Sequence, residues 1–257
     1  MERLLIVGQA LSVIEPSWVA PPCVHAFTTQ RTGGVSQAPY DSLNLGTHVG
    51  DDSAAVMQNR SRLWTTVQLR SPSVADISWL NQVHGTCVAG PGTTVAEADA
   101  LFTSSKGRVL AVMTADCLPV FIAAADGSEV AVAHAGWRGL AEGVLQATVE
   151  RFSSKPSSLL AHLGPAIGRG AFEVGEDVRS VFLARAQAHE VAFQPARDRD
   201  GRRYWCDIYT LARQILMEYG ISAISGGSEC TFTQSERYFS YRRDGRTGRM
   251  ASIIWLD

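Results

Sequence analysis

Lysine is nearly missing from this chain: of 23 basic residues among 257, only Lys106 and Lys155 are lysines and the rest are arginines. With arginine as the general cation, a single arginine does not mark an anion site. The five cysteines (Cys23, Cys87, Cys117, Cys206 and Cys230) are odd in number and contain no CxxC pair. That argues against a disulfide framework and for a reducing compartment, the cytoplasm by default. There is no run of 18 apolar residues, so no membrane span is expected. The N-terminal "MERLLIVGQALSVIEP" has too short an apolar stretch for a signal peptide. A net charge of −2 supplies no field favouring nucleic acid or an anionic membrane, so neither is expected as a partner. Repeats, low-complexity tracts and long Pro/Gly/Ser linkers are also lacking. "AGPGTT" (89–94) reads as a loop, and residues 1–257 read as one domain.

What is present is ordinary globular material, 46% apolar and 19% charged, enough to bury a large core. Apolar runs and alternations predict strands at 3–7, 24–29, 77–83, 108–114, 118–124, 129–134, 158–163, 203–206, 221–225 and 250–256. Helical spacing predicts helices over 53–69, capped by Asp51 or Asp52, over 138–152, around 175–189, and over 207–219, which starts at Asp207 and stops at Gly220. Strands outnumber helices and no regular βαβ alternation is visible. The expected fold class is α+β with mixed sheets.

Three segments share one grammar: "ISWLNQVHG" ends at His84, "RVLAVMTADC" at Cys117, and "EVAVAHAGWRG" reaches His134 before a glycine turn. Two imidazoles and a thiolate are a three-ligand set that leaves the fourth position of a zinc ion open, the catalytic arrangement. Copper suits the same donors. The spacings of 33 and 17 residues form no local motif, so pattern alone leaves three readings open. They are a metal site, a Cys117–histidine nucleophile pair with Asp116 orienting the ring, and buried structural residues.

Other chemistry lies around these segments. Arg138 sits in the first turn of a helix, where the dipole disfavours a cation unless an anion is bound or a carboxylate pairs with it. "YFSYRRDGRTGR" gathers Arg242, Arg243, Arg246 and Arg249 with three aromatics. This suits a small phosphate-bearing or nucleoside ligand better than nucleic acid, with Arg246 and Arg249 read as an exposed hairpin turn. The polar loop 28–52 is long enough to be functional, and Arg31, Asp41, Asn44 and His48 are its chemically able members.

The segments "TQRTGGVSQAPYDSLNLG", "LNQVHG", "ADALF", "VMTADCLPV", "VAVAHAGWRGL", "LGPAIGRGAFEVG" and "YFSYRRDGRTGRMASIIWL", in this order, resemble the signature of the YfiH or laccase-domain family. The resemblance runs from about residue 25 to the C-terminus. Gln30 stands where Thr or Ser is common and Tyr238 where Phe is common.

The family implies a metal site of His84, Cys117 and His134 holding Zn2+, with Cu2+ the alternative, and these same residues as the catalytic set. It implies a four-layer α/β/β/α fold. The implied activity is phosphorolysis of adenosine, inosine, guanosine and methylthioadenosine, with adenosine deamination beside it. The substrates are then purine nucleosides and phosphate, and a monomer is expected. Substrate-binding candidates are Arg31 and Arg242 for phosphate, Asn44, Gln82 or Asp116 for the purine, and Arg138. The family's editing-factor name adds hydrolysis of a mis-assembled UDP-muramyl precursor. The polyphenol-oxidase name ranks last, because six histidines without an HxH pair are too few for several coppers.

Overall fold

The computed structural model describes residues 11–90, 97–196 and 201–257. One sheet has the order β1 (Val13–Ile14), β2 (Val24–Thr29), β14 (Met250–Leu256), β6 (Arg108–Thr114), β3 (Asp76–Ser78). A second runs β13 (Ala223–Gly226), β9 (Leu159–Leu163), β7 (Leu118–Ala124), β8 (Val130–Ala135), β5 (Ala100–Thr103), β4 (Val88–Ala89). Both mix parallel and antiparallel pairs. A small antiparallel sheet joins β10 (Glu173–Gly175), β12 (Arg203–Cys206) and β11 (Phe193–Pro195).

The sequence alternation explains the layering. Along β6, Val109 and Ala111 face one side while Leu110 and Val112 face the other. Along β14, Ala251, Ile253 and Trp255 alternate likewise with Ile254 and Leu256. The first set packs under helix α1 (Ser53–Arg70) against Leu63 and Val67. The second meets Phe121, Ala123, Val130 and Val132 of the six-stranded sheet. That sheet's opposite face, with Val120, Ile122, Ala131 and Ala133, is covered by α2 (Trp137–Glu142), α3 (Val144–Val149), α4 (Glu176–Arg185) and α5 (Ile208–Glu218). The stack is therefore helix, sheet, sheet, helix. Strands buried on both faces need apolar residues at every position, which is why these runs read as continuous. Leu63 is fully buried, and truncating it to alanine removes about 2–5 kcal/mol.

Several elements differ from expectation for physical reasons. The strand expected at 3–7 lies outside the described residues. The strand expected at 77–83 stops at Ser78. Beyond it the Gln82 side chain donates from Nε2 to the Met113 carbonyl (2.8 Å) and accepts from Met113 N–H (2.7 Å). A side-chain amide thus replaces the backbone ladder and the chain peels away from the sheet. The helix expected over 138–152 is two helices, broken at Gly143, whose φ of +108° is left-handed. The helix near 175–189 ends at Arg185 and continues as a 3-10 turn, Gln187–Ala192. Asp52, not Asp51, caps α1 by accepting from Ala54 N–H.

Candidate functional site

The chain passes from one sheet to the other between Thr114 of β6 and Leu118 of β7. The link is Ala115-Asp116-Cys117, with Asp116 at φ +98°. β7 and β8 are antiparallel with Leu118 opposite Ala135 and Pro119 opposite His134. That register sets Cys117 beside the end of β8. His84 follows the peeled segment in a loop, also with positive φ (+62°). The three donor atoms of His84, Cys117 and His134 lie within 4.8 Å of one another, with Cys117 Sγ 3.8 Å from His84 Nε2. Gly136 permits this convergence. A Cβ there would fall 2.9 Å from His84 Cδ2 and 3.1 Å from Cys117 Sγ.

Asp99, just before β5, orders the cluster. Its Oδ1 accepts from His84 N–H (2.9 Å) and faces His134 Nδ1 (2.7 Å). Its Oδ2 accepts from Gly85 N–H (2.7 Å) and Val83 N–H (3.2 Å). One buried carboxylate thus holds the strained His84 loop and fixes His134 with its Nδ1 proton toward Asp99, leaving Nε2 toward the cluster. Burial opposes the ionised Asp99, but the hydrogen bonds from His134, Gly85 and His84 outweigh it and hold its carboxyl below the usual range.

Cys117 and His134 are a coupled buried pair. Burial opposes charge on both, yet their mutual attraction prevails, with Asp99 assisting His134. The thiol is pushed down and the imidazole up, toward a thiolate–imidazolium pair. Two nitrogens and a sulfur at these separations suit a single ion that pulls its ligands slightly together. Without an ion the same arrangement is a thiolate held between two histidines.

The cluster stands where two cavities meet, and His84, Ala115, Cys117 and Tyr241 line both. One, about 240 Å³, is apolar and aromatic, lined by Trp137, Ile167, Phe172 and Ile208 with Arg138 and Arg242 at its rim. The other, about 380 Å³, is the more polar of the two, lined by His48, Gln82, Thr114 and Arg249 beside Leu80 and Met113. The larger is in the size class of small-molecule sites and the smaller lies just below it.

The other sequence candidates distribute unevenly. Asp116 does not orient an imidazole. Its Oδ1 accepts from the Thr231 hydroxyl and its Oδ2 from Arg242 N–H, both at 2.6 Å, so it anchors two distant segments beneath the apolar lobe. Gln82 lines the polar lobe, but Met113 takes both its amide atoms. Arg138 lies over the Trp137 ring (4.5 Å) and makes no carboxylate pair among the described residues. Arg242 lies over Phe172 (5.3 Å) and donates to the Glu173 carbonyl (2.9 Å).

Arg31 and Asn44 line neither lobe. Arg31 binds Asp41 and the Ser235 carbonyl, and Asn44, fully buried, ties Gly46, Asp51 and Arg249 N–H together. These contacts close the 28–52 loop, and of its four candidates only His48 reaches a lobe. Arg249 is no part of an exposed hairpin turn. Residues Tyr241–Asp244 form a short helix, α6, and Arg249 is half-buried in the polar lobe. Asp99 and Arg249 were the residues that pattern reading missed. For Asp99 the usable signal was an acid inside the apolar "ADALF", because a buried carboxylate needs partners.

Fold and site together define a four-layer α+β protein with a His–Cys–His cluster where its two main sheets meet. A family profile described as "Multi-copper polyphenol oxidoreductase laccase" matches residues 25–257. The chain belongs to that family, the YfiH or laccase-domain family. A Shigella flexneri relative named purine nucleoside phosphorylase YfiH is 50% identical over 247 residues, spanning 95% of this chain and 98% of its own. A Pseudomonas aeruginosa relative, named purine nucleoside phosphorylase PA4543, is 49% identical over 244 residues, spanning 95% and 98%. The crystal structure of the Neisseria meningitidis protein NMB0706 superposes with a TM-score of 0.88 at 44% identity, covering 95% of this chain and 99% of that one. Among the described residues, no helix is long and apolar enough to cross a membrane.

Proposed function

We propose that this chain cleaves purine nucleosides with inorganic phosphate, giving the free base and ribose 1-phosphate. The observation that carries the reading is the cluster's position between an aromatic lobe and a polar, cationic one. The names of the relatives support it. In the reaction the C1′–N9 bond breaks, a phosphate oxygen bonds to C1′, and the base leaves with a proton. Trp137 and Phe172 supply flat apolar surface for a purine, with Ile167 and Ile208 behind them. Arg138 and Arg242 offer donors at the rim. His84, Cys117 and His134 would hold a zinc ion, with copper the competitor. Such an ion supplies a Lewis acid beside the reacting centre. Asp99 keeps His134 in the ligating tautomer.

The test supplies adenosine and phosphate and follows adenine and ribose 1-phosphate. Release of base should require phosphate, disappear in His84→Ala, and show about a tenfold higher nucleoside KM in Trp137→Ala. Base release without phosphate consumption would refute phosphorolysis. Inosine formation would report the deaminase activity expected beside it. A second reading draws on the depressed Cys117 thiol between two imidazoles, which is also how a nucleophile is activated for amide hydrolysis. A UDP-muramyl precursor carrying serine in place of alanine would then lose its serine, and an intact precursor after prolonged incubation would refute it.

A further inference from the structure

The polar lobe carries arginine charge that no carboxylate pairs among the described residues. Arg249 lines it, with Nη1 donating to the Thr247 and Gly248 carbonyls (both 3.0 Å) and the guanidinium 5.9 Å from the Tyr241 ring centroid. Arg60 stands behind, stacked over Trp79 at 4.1 Å and donating from Nε to the Leu45 carbonyl (3.0 Å). Neither arginine forms an ion pair with a carboxylate among the described residues, although eight arginine–carboxylate pairs form elsewhere among them. Burial, Arg249 and Arg60 together push the His48 imidazole down, so the field there is cationic. Of the negative groups that act on Arg249, Cys117 belongs to the cluster and Asp116 already has both oxygens occupied.

A second, independent observation points to a ligand. Thr114 lines the same lobe at 1% exposure, and its hydroxyl has no hydrogen-bond partner. A buried unpaired hydroxyl costs free energy unless something enters to bond it. Thr114 also pairs with Met250 across β6 and β14, so the strand register sets it beside the chain position that carries Arg249.

We infer that the polar lobe is an oxyanion subsite: Arg249, backed by Arg60, holds inorganic phosphate with donors from the His48 ring and the Thr114 hydroxyl. The identification of the anion as phosphate rests on the phosphorylase reading. The assignment sets phosphate and purine on opposite sides of the cluster, as displacement at C1′ requires, with the C–O bond forming on one side while the C–N bond breaks on the other. Arg31, which lines neither lobe, and Arg242, at the rim of the apolar lobe, are not the anchors.

Inorganic phosphate titrated calorimetrically into metal-loaded and metal-stripped protein tests this directly. Arg249→Met should weaken phosphate binding about ten- to hundredfold in both forms, the loss of a charge-assisted contact. The phosphate KM should rise by the same factor with the nucleoside KM within about twofold. Arg249→Lys should recover part of the loss, and Arg151→Met, the same charge change at a remote exposed site, none. Because Arg249 also holds two carbonyls, His48→Asn and Thr114→Val serve if Arg249→Met does not fold, and each should weaken phosphate severalfold. Unchanged phosphate affinity in the folded variants, or no phosphate binding by the wild type, overturns the subsite. Nucleoside cleavage with an Arg249-independent phosphate KM overturns the subsite alone. Arg249-dependent phosphate binding without nucleoside cleavage supports the subsite and refutes phosphorolysis.

Discussion

Replacing Asp99 by asparagine separates the structure of the cluster from its ligands. The side chain is fully buried and its two oxygens serve four nitrogens. Asparagine keeps the shape but makes one oxygen an NH2 group. If the amide nitrogen takes the Oδ2 place, Val83 and Gly85 N–H face a donor. If it takes the Oδ1 place, His84 N–H faces a donor, and His134 must turn Nδ1 into an acceptor, which moves its proton to Nε2 and spoils the ligand. The first orientation loses two hydrogen bonds to a charged acceptor and the second loses one and reverses another, at about 1.5–3 kcal/mol for each bond lost. We expect about 2–6 kcal/mol of destabilisation in urea unfolding. Metal affinity, read by competition with a chromogenic chelator, should fall by roughly 10–100-fold, as for other residues that orient a ligating histidine. His84→Ala is the contrast, because it should lose metal while its stability changes little. An Asp99→Asn protein within about 1 kcal/mol of wild type, with unaltered metal affinity, would refute this account of Asp99.

Gly136→Ala should drive its new methyl into His84 and Cys117, costing about 1–3 kcal/mol of stability and lowering metal content in purified protein. Full metal occupancy in that variant would show that the cluster does not need the close approach. His162 is buried, and burial, with Arg213 adding to it, pushes its imidazole down to about 4. Below about pH 6.5 the unfolded chain takes up a proton that the folded chain refuses until about pH 4, so stability falls as pH drops through that window. At about 1.4 kcal/mol per pH unit the loss is roughly 3 kcal/mol. His162→Gln, which can keep the Ser225 hydrogen bond, should remove that part of the pH dependence in urea unfolding between pH 7 and pH 4.5. Equal pH slopes in the two proteins would rule it out.

The long central strands of both main sheets are legible because they are buried on two faces, so composition marks them without periodicity, whereas the short strands β1, β4 and β5 are not among those the sequence predicts. His84, Cys117 and His134 are legible as reactive side chains at the ends of apolar segments, although nothing local says that they meet. Their meeting depends on register: Pro119 opposite His134 and the Gln82 clasp on Met113 are long-range pairings. Arg31 and Asn44 misled for a general reason. A long ordered loop must satisfy its own backbone polar groups, and the polar side chains that do this look, in sequence, like binding residues. Asn59 of α1 shows the same demand, accepting from Val35 N–H and donating to the carbonyls of Ser42 and Asn44. Arg249 was obscured by its neighbours, since "RDGRTGR" reads as a turn whichever way one arginine points.

The cluster and its lobes have one cause in the topology. Residues 115–117 are where the chain leaves one sheet for the other, so they face the seam between the sheets rather than either core. There an acid and a thiol can follow an apolar strand and still be used. Asp116 spends its charge on Thr231 and Arg242 N–H, pulling the C-terminal segment over the seam. Tyr241 then borders both lobes, and β14 begins with Arg249 just before it. Cys117 is left facing His84 and His134, where the attraction that makes it a thiolate is what a cation between the three donors would exploit. The acid therefore builds the walls and the thiol serves the centre. Asp116→Asn should accordingly disturb both lobes while leaving the three donors in place.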